Sequence, residues 1–308
     1  MSTRGVGLAG AARSEGARHR RGRVRAWVPF LLLFAAGVWI CEALASGVWA
    51  SGFTTIDTRR ACFLDPADVE GGGGFVDQRW EGLLRQTLAS VPAFDATDLA
   101  SAELLRQRVT ALAFIAEVGE PRVLWPDGVE LPVKLRRPAA CVRVGEEYLA
   151  VSSDGVLLPG GWPAPPWIGH GFLPVIGPND HAFDATAPGM RLVEARHLDA
   201  LSVAVSMRAA LSAAEFETLG PPLVDATRAR FSSATEPGVQ LRLSDQRVIW
   251  FGRAPNAGEP GELSVEAKWK AVVEGARVLR EAQGARDWSV LDARWDVPQI
   301  QWRESAGG

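Results

Sequence analysis

Residues 27–50 read WVPFLLLFAAGVWICEALASGVWA and contain one charged residue, Glu42. As an α-helix this stretch would be about 36 Å long, which is enough to cross a hydrocarbon core of about 30 Å. The strongly apolar residues gain more free energy on insertion than one carboxyl near the far interface costs. We therefore predict a transmembrane helix over residues 26–50.

The residues on either side of this stretch predict its orientation. Residues 1–25 contain seven arginines and one acidic residue, Glu15, so this segment has a net charge of about +6 and the rest of the chain about −9. Positive segments stay on the cytoplasmic side, which places residues after 50 outside the cytoplasm. The acidic body lacks the basic surface that nucleic acid requires, so nucleic acid is excluded as its partner.

Two other interpretations of the apolar stretch remain open. The tripeptides at 43–45 (Ala-Leu-Ala) and 48–50 (Val-Trp-Ala) fit the cleavage pattern of a secretory signal peptide. A buried core helix is the second alternative. The long basic leader and the length of the apolar stretch favour a retained anchor over both.

Residues 51–137 carry the pattern of a small α+β unit. Apolar spacing predicts helices over 78–90 and from Asp98 or Ser101 to about 116. Residues 118–125 and 129–136 are predicted to form a hairpin around Pro126-Asp127-Gly128, because apolar and polar residues alternate in the second strand. With a short strand near 56–64, the predicted order is strand, helix, helix, strand, strand.

Residues 138–304 are predicted to form a second α+β unit with a mixed sheet. Short strands are expected at 141–144, 148–152, 156–158, 173–176, 223–230, 239–244, 247–252 and 291–295. Helices are expected at 193–216 and from Ser264 to Gly284, and a long loop at 159–171. Cys62 and Cys141 could form a disulfide outside the cytoplasm or remain separate small buried residues.

Several local strings, in this order, resemble the FtsQ/DivIB family of bacterial cell-division proteins. They are RVLWPDGVELPV at 122–133, RPAA at 137–140, YLAVSSDGV at 148–156, LPVIG at 173–177 and LDARW at 291–295. The resemblance implies a basic cytoplasmic tail (1–25), a transmembrane helix (26–50), a POTRA-like βααββ domain (51–137) and a β domain (138–304). It covers nearly the whole chain.

The resemblance also implies a function without catalysis, cofactor or metal. Members of this family are single-pass proteins of the cell inner membrane at the division septum. They link early and late division proteins and regulate septal peptidoglycan synthesis through protein contacts. The expected partners are FtsB-like and FtsL-like coiled-coil proteins.

The expected contact region is the end of the chain. A C-terminal strand left at a sheet edge can be completed by a partner strand. On this resemblance, and because Arg and Trp are enriched at interface hot spots, the predicted partner-binding residues are Asp292, Arg294, Trp295, Ile300 and Trp302. Alternation leaves open that Trp295 instead faces the core with Leu291 and Ala293.

The opposing hypothesis is a membrane-anchored or secreted hydrolase or metal-binding enzyme. Its residues would be the polar set Asn179, Asp180, His181 and Asp184, with His170 and His197. The chain lacks the His-Glu-x-x-His, Gly-x-Ser-x-Gly and Ser-x-x-Lys motifs, and a Pro-Asn-Asp turn explains residues 178–180 without chemistry. The sequence therefore favours a scaffold.

Overall fold

The fold is known from a computed structural model that describes residues 13–50, 55–64, 78–124, 128–177, 187–229, 236–257, 263–281 and 288–302. Its helices are α1 Arg13–Ala50, α2 Gln78–Ala89, α3 Leu99–Thr110, α4 Ala195–Ala210, α5 Ala213–Leu219 and α6 Val265–Glu281. The strands before residue 138 are β1 Thr55–Ile56, β2 Ala61–Leu64, β3 Phe94–Asp95, β4 Ile115–Val118, β5 Arg122–Leu124 and β6 Gly128–Leu135.

The later strands are β7 Pro138–Val144, β8 Glu147–Ser152, β9 Leu157–Trp162, β10 Trp167–Ile168, β11 Gly171–Phe172, β12 Val175–Gly177, β13 Leu223–Asp225, β14 Val239–Arg242, β15 Val248–Gly252, β16 Trp288–Asp292 and β17 Gln299–Trp302. Helices and strands are mixed along the chain, and parallel and antiparallel pairs occur in one sheet. The predicted α+β class is confirmed.

The N-terminal helix contains an apolar segment of membrane-spanning length. Residues Trp27–Gly47 have a mean hydropathy of 2.1, and none of this segment is buried in the protein. In the part of the chain that the structure describes, it is the one helix long and apolar enough to cross a bilayer. Helix α1 starts at Arg13, well before the apolar segment. The arginine-rich residues 13–25 and the apolar segment therefore belong to one helix.

The first folded unit packs α2 and α3 on one face of a small sheet. Strand β6 pairs in parallel with β2 and antiparallel with β4 and β5. Apolar residues of both helices and of β6 are buried together in one cluster, including Trp80, Leu84, Leu105, Val109 and Leu131. Asp98 begins α3 by accepting hydrogen bonds from the backbone N–H groups of Ala100 and Ser101, as an N-cap does.

The strand expected at 118–125 is only partly observed: residue 118 is the last of β4, residues 119–121 are an interruption, and residues 122–124 form β5. The interruption lies opposite Pro132 of β6, and it occurs there because proline has no N–H to donate to the neighbouring strand. The carbonyl of Pro132 accepts a hydrogen bond of 2.8 Å from the N–H of Gly119 in the interruption. The second half of the predicted strand therefore pairs with β6 separately, and the turn residues 125–127 lie outside the described residues.

The second unit is a nine-stranded mixed sheet in the order β17-β16-β15-β14-β13-β12-β7-β8-β9. Its first face is covered by α4, α5 and α6, and the buried cluster there includes Val224, Leu241, Leu291, Met207 and Trp269. Alternate residues of a strand point to opposite faces of a sheet, so Val224, Leu241 and Leu291 can share the face that the helices cover.

The opposite face is covered by the first unit at the β9 end of the sheet. Cys141, Ala150 and Leu158 belong to the same buried cluster as Trp80. The indole N–H of Trp80 donates to the carbonyl of Pro159 at 2.8 Å. The two units therefore share one apolar core, while the β17 end of that face remains outside it.

Several element boundaries differ from the sequence predictions. The single helix expected at 193–216 is two helices, because the chain is extended at Leu211 and Ser212 begins α5 with a capping box to Glu215. The loop expected at 159–171 contains the short hairpin of β10 and β11. Cys62 is exposed, Cys141 is buried, and both thiols are free.

Candidate partner-binding edge

Strand β17 forms one edge of the nine-stranded sheet. Among the strands that the structure describes, β16 is its one partner, so one side of β17 has no strand beside it. The carbonyl of Gln301 accepts a hydrogen bond of 3.3 Å from the Ser289 hydroxyl of β16. Because backbone groups alternate in direction along a strand, the N–H and C=O groups of Ile300 and Trp302 face the open side.

The side chains of β17 alternate between two environments. Gln299 and Gln301 are exposed, whereas Ile300 and Trp302 are half-buried. Ile300 lies opposite the core residue Leu291, and both Ile300 and Trp302 pack against the core beneath the helices. These two residues are therefore the outer margin of the core, and a strand added to β17 would lie directly beside them.

Asp292 and Arg294 form a buried ion pair where β16 ends. Their exposed fractions are 5% and 3%. The guanidinium donates from Nε to Oδ1 at 2.8 Å and from Nη2 to Oδ2 at 2.7 Å, so the pair is bidentate. Nη1 of Arg294 also donates to the carbonyl of Glu236 at 2.8 Å.

Burial changes the expected role of these two residues. The sequence predicts Asp292 and Arg294 as partner contacts, but their charged groups face each other inside the protein because each satisfies the other there. A partner docked on the surface of this chain would not touch them directly. Their effect on binding would be to hold the neighbouring surface in position.

Trp295 is the exposed member of the predicted set, with an exposed fraction of 44%. Its indole N–H donates to Oδ2 of Asp292 at 3.1 Å. The guanidinium carbon of Arg294 lies 5.6 Å from the centre of this ring and 5.2 Å from that of Trp250. Trp295 therefore does not join the core with Leu291 and Ala293, and its ring is fixed at the surface.

Sequence reasoning missed two residues of this region. Trp250 of β15 contacts the Arg294 guanidinium, and it was visible only as one residue of an alternating strand. Trp288 lies opposite Trp302, and the guanidinium carbon of Arg247 is 4.8 Å from its ring centre. The buried indole N–H of Trp288 has no hydrogen-bond acceptor. Neither residue can be assigned to this region without the knowledge that β15 pairs with β16.

The residues of the enzyme hypothesis are not brought together in the described part of the chain. His170 Nε2 lies 2.7 Å from the carbonyl of Arg208, while His197 is on α4, where burial lowers its pKa. Within the described ranges no group of three or more His, Cys, Asp or Glu could hold a metal ion. Asn179, Asp180, His181 and Asp184 lie outside those ranges.

No family model matches this chain, and no curated protein matches it.

Proposed function

We propose that the protein is a non-enzymatic scaffold, anchored in the membrane by α1, that binds a partner by strand addition to β17. The observation that carries this proposal is the open side of β17. The exposed ring of Trp295 lies in the connection between β16 and β17. A partner strand gains backbone hydrogen bonds from such an edge, and side chains beside it supply specificity.

The anchor is supported by the apolar segment Trp27–Gly47, of which no part is buried. A helix with this hydropathy is stable in hydrocarbon, where its backbone groups are satisfied internally. The arginines before it favour a cytoplasmic N-terminus, so both folded units would lie outside the cytoplasm.

The biological setting is proposed from the resemblance to the FtsQ/DivIB family. The first unit would be the POTRA-like domain, and the second the β domain. The partners would be FtsB-like and FtsL-like coiled-coil proteins at the division septum of the inner membrane, and their binding would regulate septal peptidoglycan synthesis. The strand order, the apolar N-terminal helix and the C-terminal edge strand are compatible with this role.

Ile300→Pro tests strand addition, with Ile300→Val as its matched control. Proline removes an N–H that faces the open side, and proline is tolerated on sheet edges for that reason. Valine keeps the N–H and most of the side chain. We expect Ile300→Pro to reduce co-purification of the host's FtsB-like protein by at least about tenfold, which corresponds to about 1.4 kcal/mol. Ile300→Val should retain binding.

Fluorescent fusions of the same variants show where in the cell the protein lies, which tests the proposed division role. The unaltered chain and Ile300→Val should form a band at midcell, and thermal unfolding should show that Ile300→Pro is still folded. A uniform cell outline for the unaltered chain would refute the division role. A midcell band with undiminished partner binding by Ile300→Pro would refute strand addition alone.

A further inference from the structure

Six arginines precede the apolar segment on helix α1, and the five nearest to it lie within residues 18–25. Arg18, Arg20, Arg21, Arg23 and Arg25 lie within α1, and we call them the arginine collar. At 1.5 Å per residue, the collar occupies about 10 Å of the helix axis, and Arg25 lies about 3 Å along that axis from Trp27. The positive charge is therefore directly adjacent to the segment of membrane-spanning length.

The collar positions are distributed around the helix axis. At about 100° per residue, and with residue 18 as the origin, residues 20, 21, 23 and 25 lie at about 200°, 300°, 140° and 340°. A helix that lies in the membrane surface needs an apolar face opposite its charges. The arginine positions leave one arc of about 140°, and the residues there, His19, Gly22 and Ala26, do not make an apolar face. This part of α1 therefore suits an upright helix surrounded by headgroups.

Pro29 indicates the depth of the collar. Proline has no N–H, so the carbonyl of Arg25 cannot receive the usual helical hydrogen bond from residue 29. An unsatisfied carbonyl is costly in hydrocarbon but not at the wet headgroup level. This places the junction between the collar and the apolar segment at the membrane–water interface. The collar then lies in the headgroup layer, and each of its residues is within about one Debye length, 8–10 Å, of the lipid phosphates.

We propose that the arginine collar binds the phosphate groups of anionic phospholipids. Guanidinium groups bind phosphate oxygens through paired N–H groups, and the first 25 residues contain seven arginines and no lysine. Lipid is favoured over nucleic acid because lipid phosphates already surround a helix at this depth. This inference rests on the membrane anchor of the proposed function and is independent of partner binding at β17.

The test uses the full chain in phosphatidylcholine vesicles that contain spin-labelled phosphatidylglycerol or spin-labelled phosphatidylcholine. The measured quantity is the fraction of each labelled lipid immobilised by the protein. We expect a preference for phosphatidylglycerol of about fivefold at low salt, the factor for one arginine near an anionic surface. The preference should fall towards one in 0.5 M salt, where charges are screened within a few Å.

The test variant carries Arg18→Gln, Arg20→Gln, Arg21→Gln, Arg23→Gln and Arg25→Gln. The matched control makes five changes at exposed arginines of the body, Arg59→Gln, Arg85→Gln, Arg106→Gln, Arg122→Gln and Arg277→Gln. We expect the first variant to lose the preference and the second to keep it. Equal preferences in the two variants would overturn the proposal.

Two further measurements separate the causes of failure. Alkaline carbonate washing reports the anchor: release of the unaltered chain would refute both the anchor and the collar proposal. A retained chain without lipid preference would refute the collar proposal alone. Double-stranded DNA added at 0.15 M salt tests the other polyanion, and if it abolishes the lipid preference the collar is a nucleic-acid site and the proposal fails.

Discussion

At the scale of single residues, Arg294 shows how a charge can be kept inside this protein. Its guanidinium is bonded to both oxygens of Asp292 and to the carbonyl of Glu236, and it lies near the rings of Trp250 and Trp295. Burial removes the water around the guanidinium charge, and these contacts take the place of that water. The exposed ring of Trp295 is held through the same carboxylate.

Asp292→Ala should destabilise the protein by about 3–5 kcal/mol, because it leaves the Arg294 charge buried without its counter-ion. The matched control is Glu274→Ala, which breaks the exposed pair with Arg277 and should leave the free energy of unfolding nearly unchanged, because solvent screens that pair. Urea unfolding of the full chain in detergent, followed by tryptophan fluorescence, measures both. Similar losses in the two variants would contradict the importance of burial.

The sequence predicted part of this site. The alternation in 291–295 correctly marks Leu291 as a core residue, and the edge position expected for the last strand is observed. It did not show that Asp292 and Arg294 face inward. Their burial depends on the Glu236 carbonyl and the Trp250 ring, which lie 58 and 44 residues from Arg294 along the chain and are brought there by strand pairing.

At the scale of elements, the contact of α6 with β16 depends on a glycine. A Cβ atom at Gly275 would lie 2.7 Å from Cδ1 of the buried Leu291, closer than packed carbon atoms approach. The helix can therefore sit close to the strand that carries the candidate site.

Gly275→Ala should destabilise the protein by up to about 2 kcal/mol, because overpacking the contact with Leu291 costs about 1–3 kcal/mol and the higher helix propensity of alanine returns about 0.5–1 kcal/mol. Gly82→Ala in α2 is the matched control, since nothing lies within 4 Å of its Cβ position. There the higher helix propensity of alanine should stabilise by about 0.5–1 kcal/mol. Chemical unfolding of both variants checks the opposite signs, and a stabilising Gly275→Ala would contradict this account.

The sequence predicted some helix boundaries and missed others. Asp98, one of the two caps expected for α3, is observed, but the helix ends at Thr110 and not near Ala116, because the following residues pair as β4 with β6. The start of α5 was missed by the prediction of one helix over 193–216, although the Ser-x-x-Glu signature at Ser212 marks it in the sequence. Pairing with a distant strand overrides the helical spacing of the apolar residues, and the local sequence does not show that pairing.

At the scale of the whole molecule, the two units are joined by an ion pair as well as by apolar contacts. Arg136, just after β6, donates to the carbonyl of Ala113 at 2.9 Å and to Asp154 at 3.1 Å. Asp154 lies between β8 and β9 of the large sheet and also pairs with Arg191 at 3.3 Å. Burial alone would raise the pKa of Asp154, but hydrogen bonds from Ser152 and Arg136 lower it below its ordinary value.

A lowered pKa in the folded state means that ionised Asp154 stabilises the fold above the unfolded pKa of about 4. This contribution is lost as the pH falls through the lower folded value. Asp154→Asn should therefore lower the melting temperature at pH 7, and the difference from the unaltered chain should shrink below pH 4. Glu117→Gln, at an exposed pair with Lys134, is the control and should show little difference. If the difference in melting temperature between Asp154→Asn and the unaltered chain stayed constant from pH 7 to pH 2.5, this linkage would be contradicted.

The short edge strand has a second consequence, for self-assembly. Open strand edges can stack copies of one chain into fibres, and the segments that do so are typically six or seven residues long and free of proline. Strand β17 has four residues, Pro298 stands immediately before it, and glutamines alternate with its apolar residues. This edge can therefore remain uncovered with little risk that copies of the chain aggregate by pairing along it.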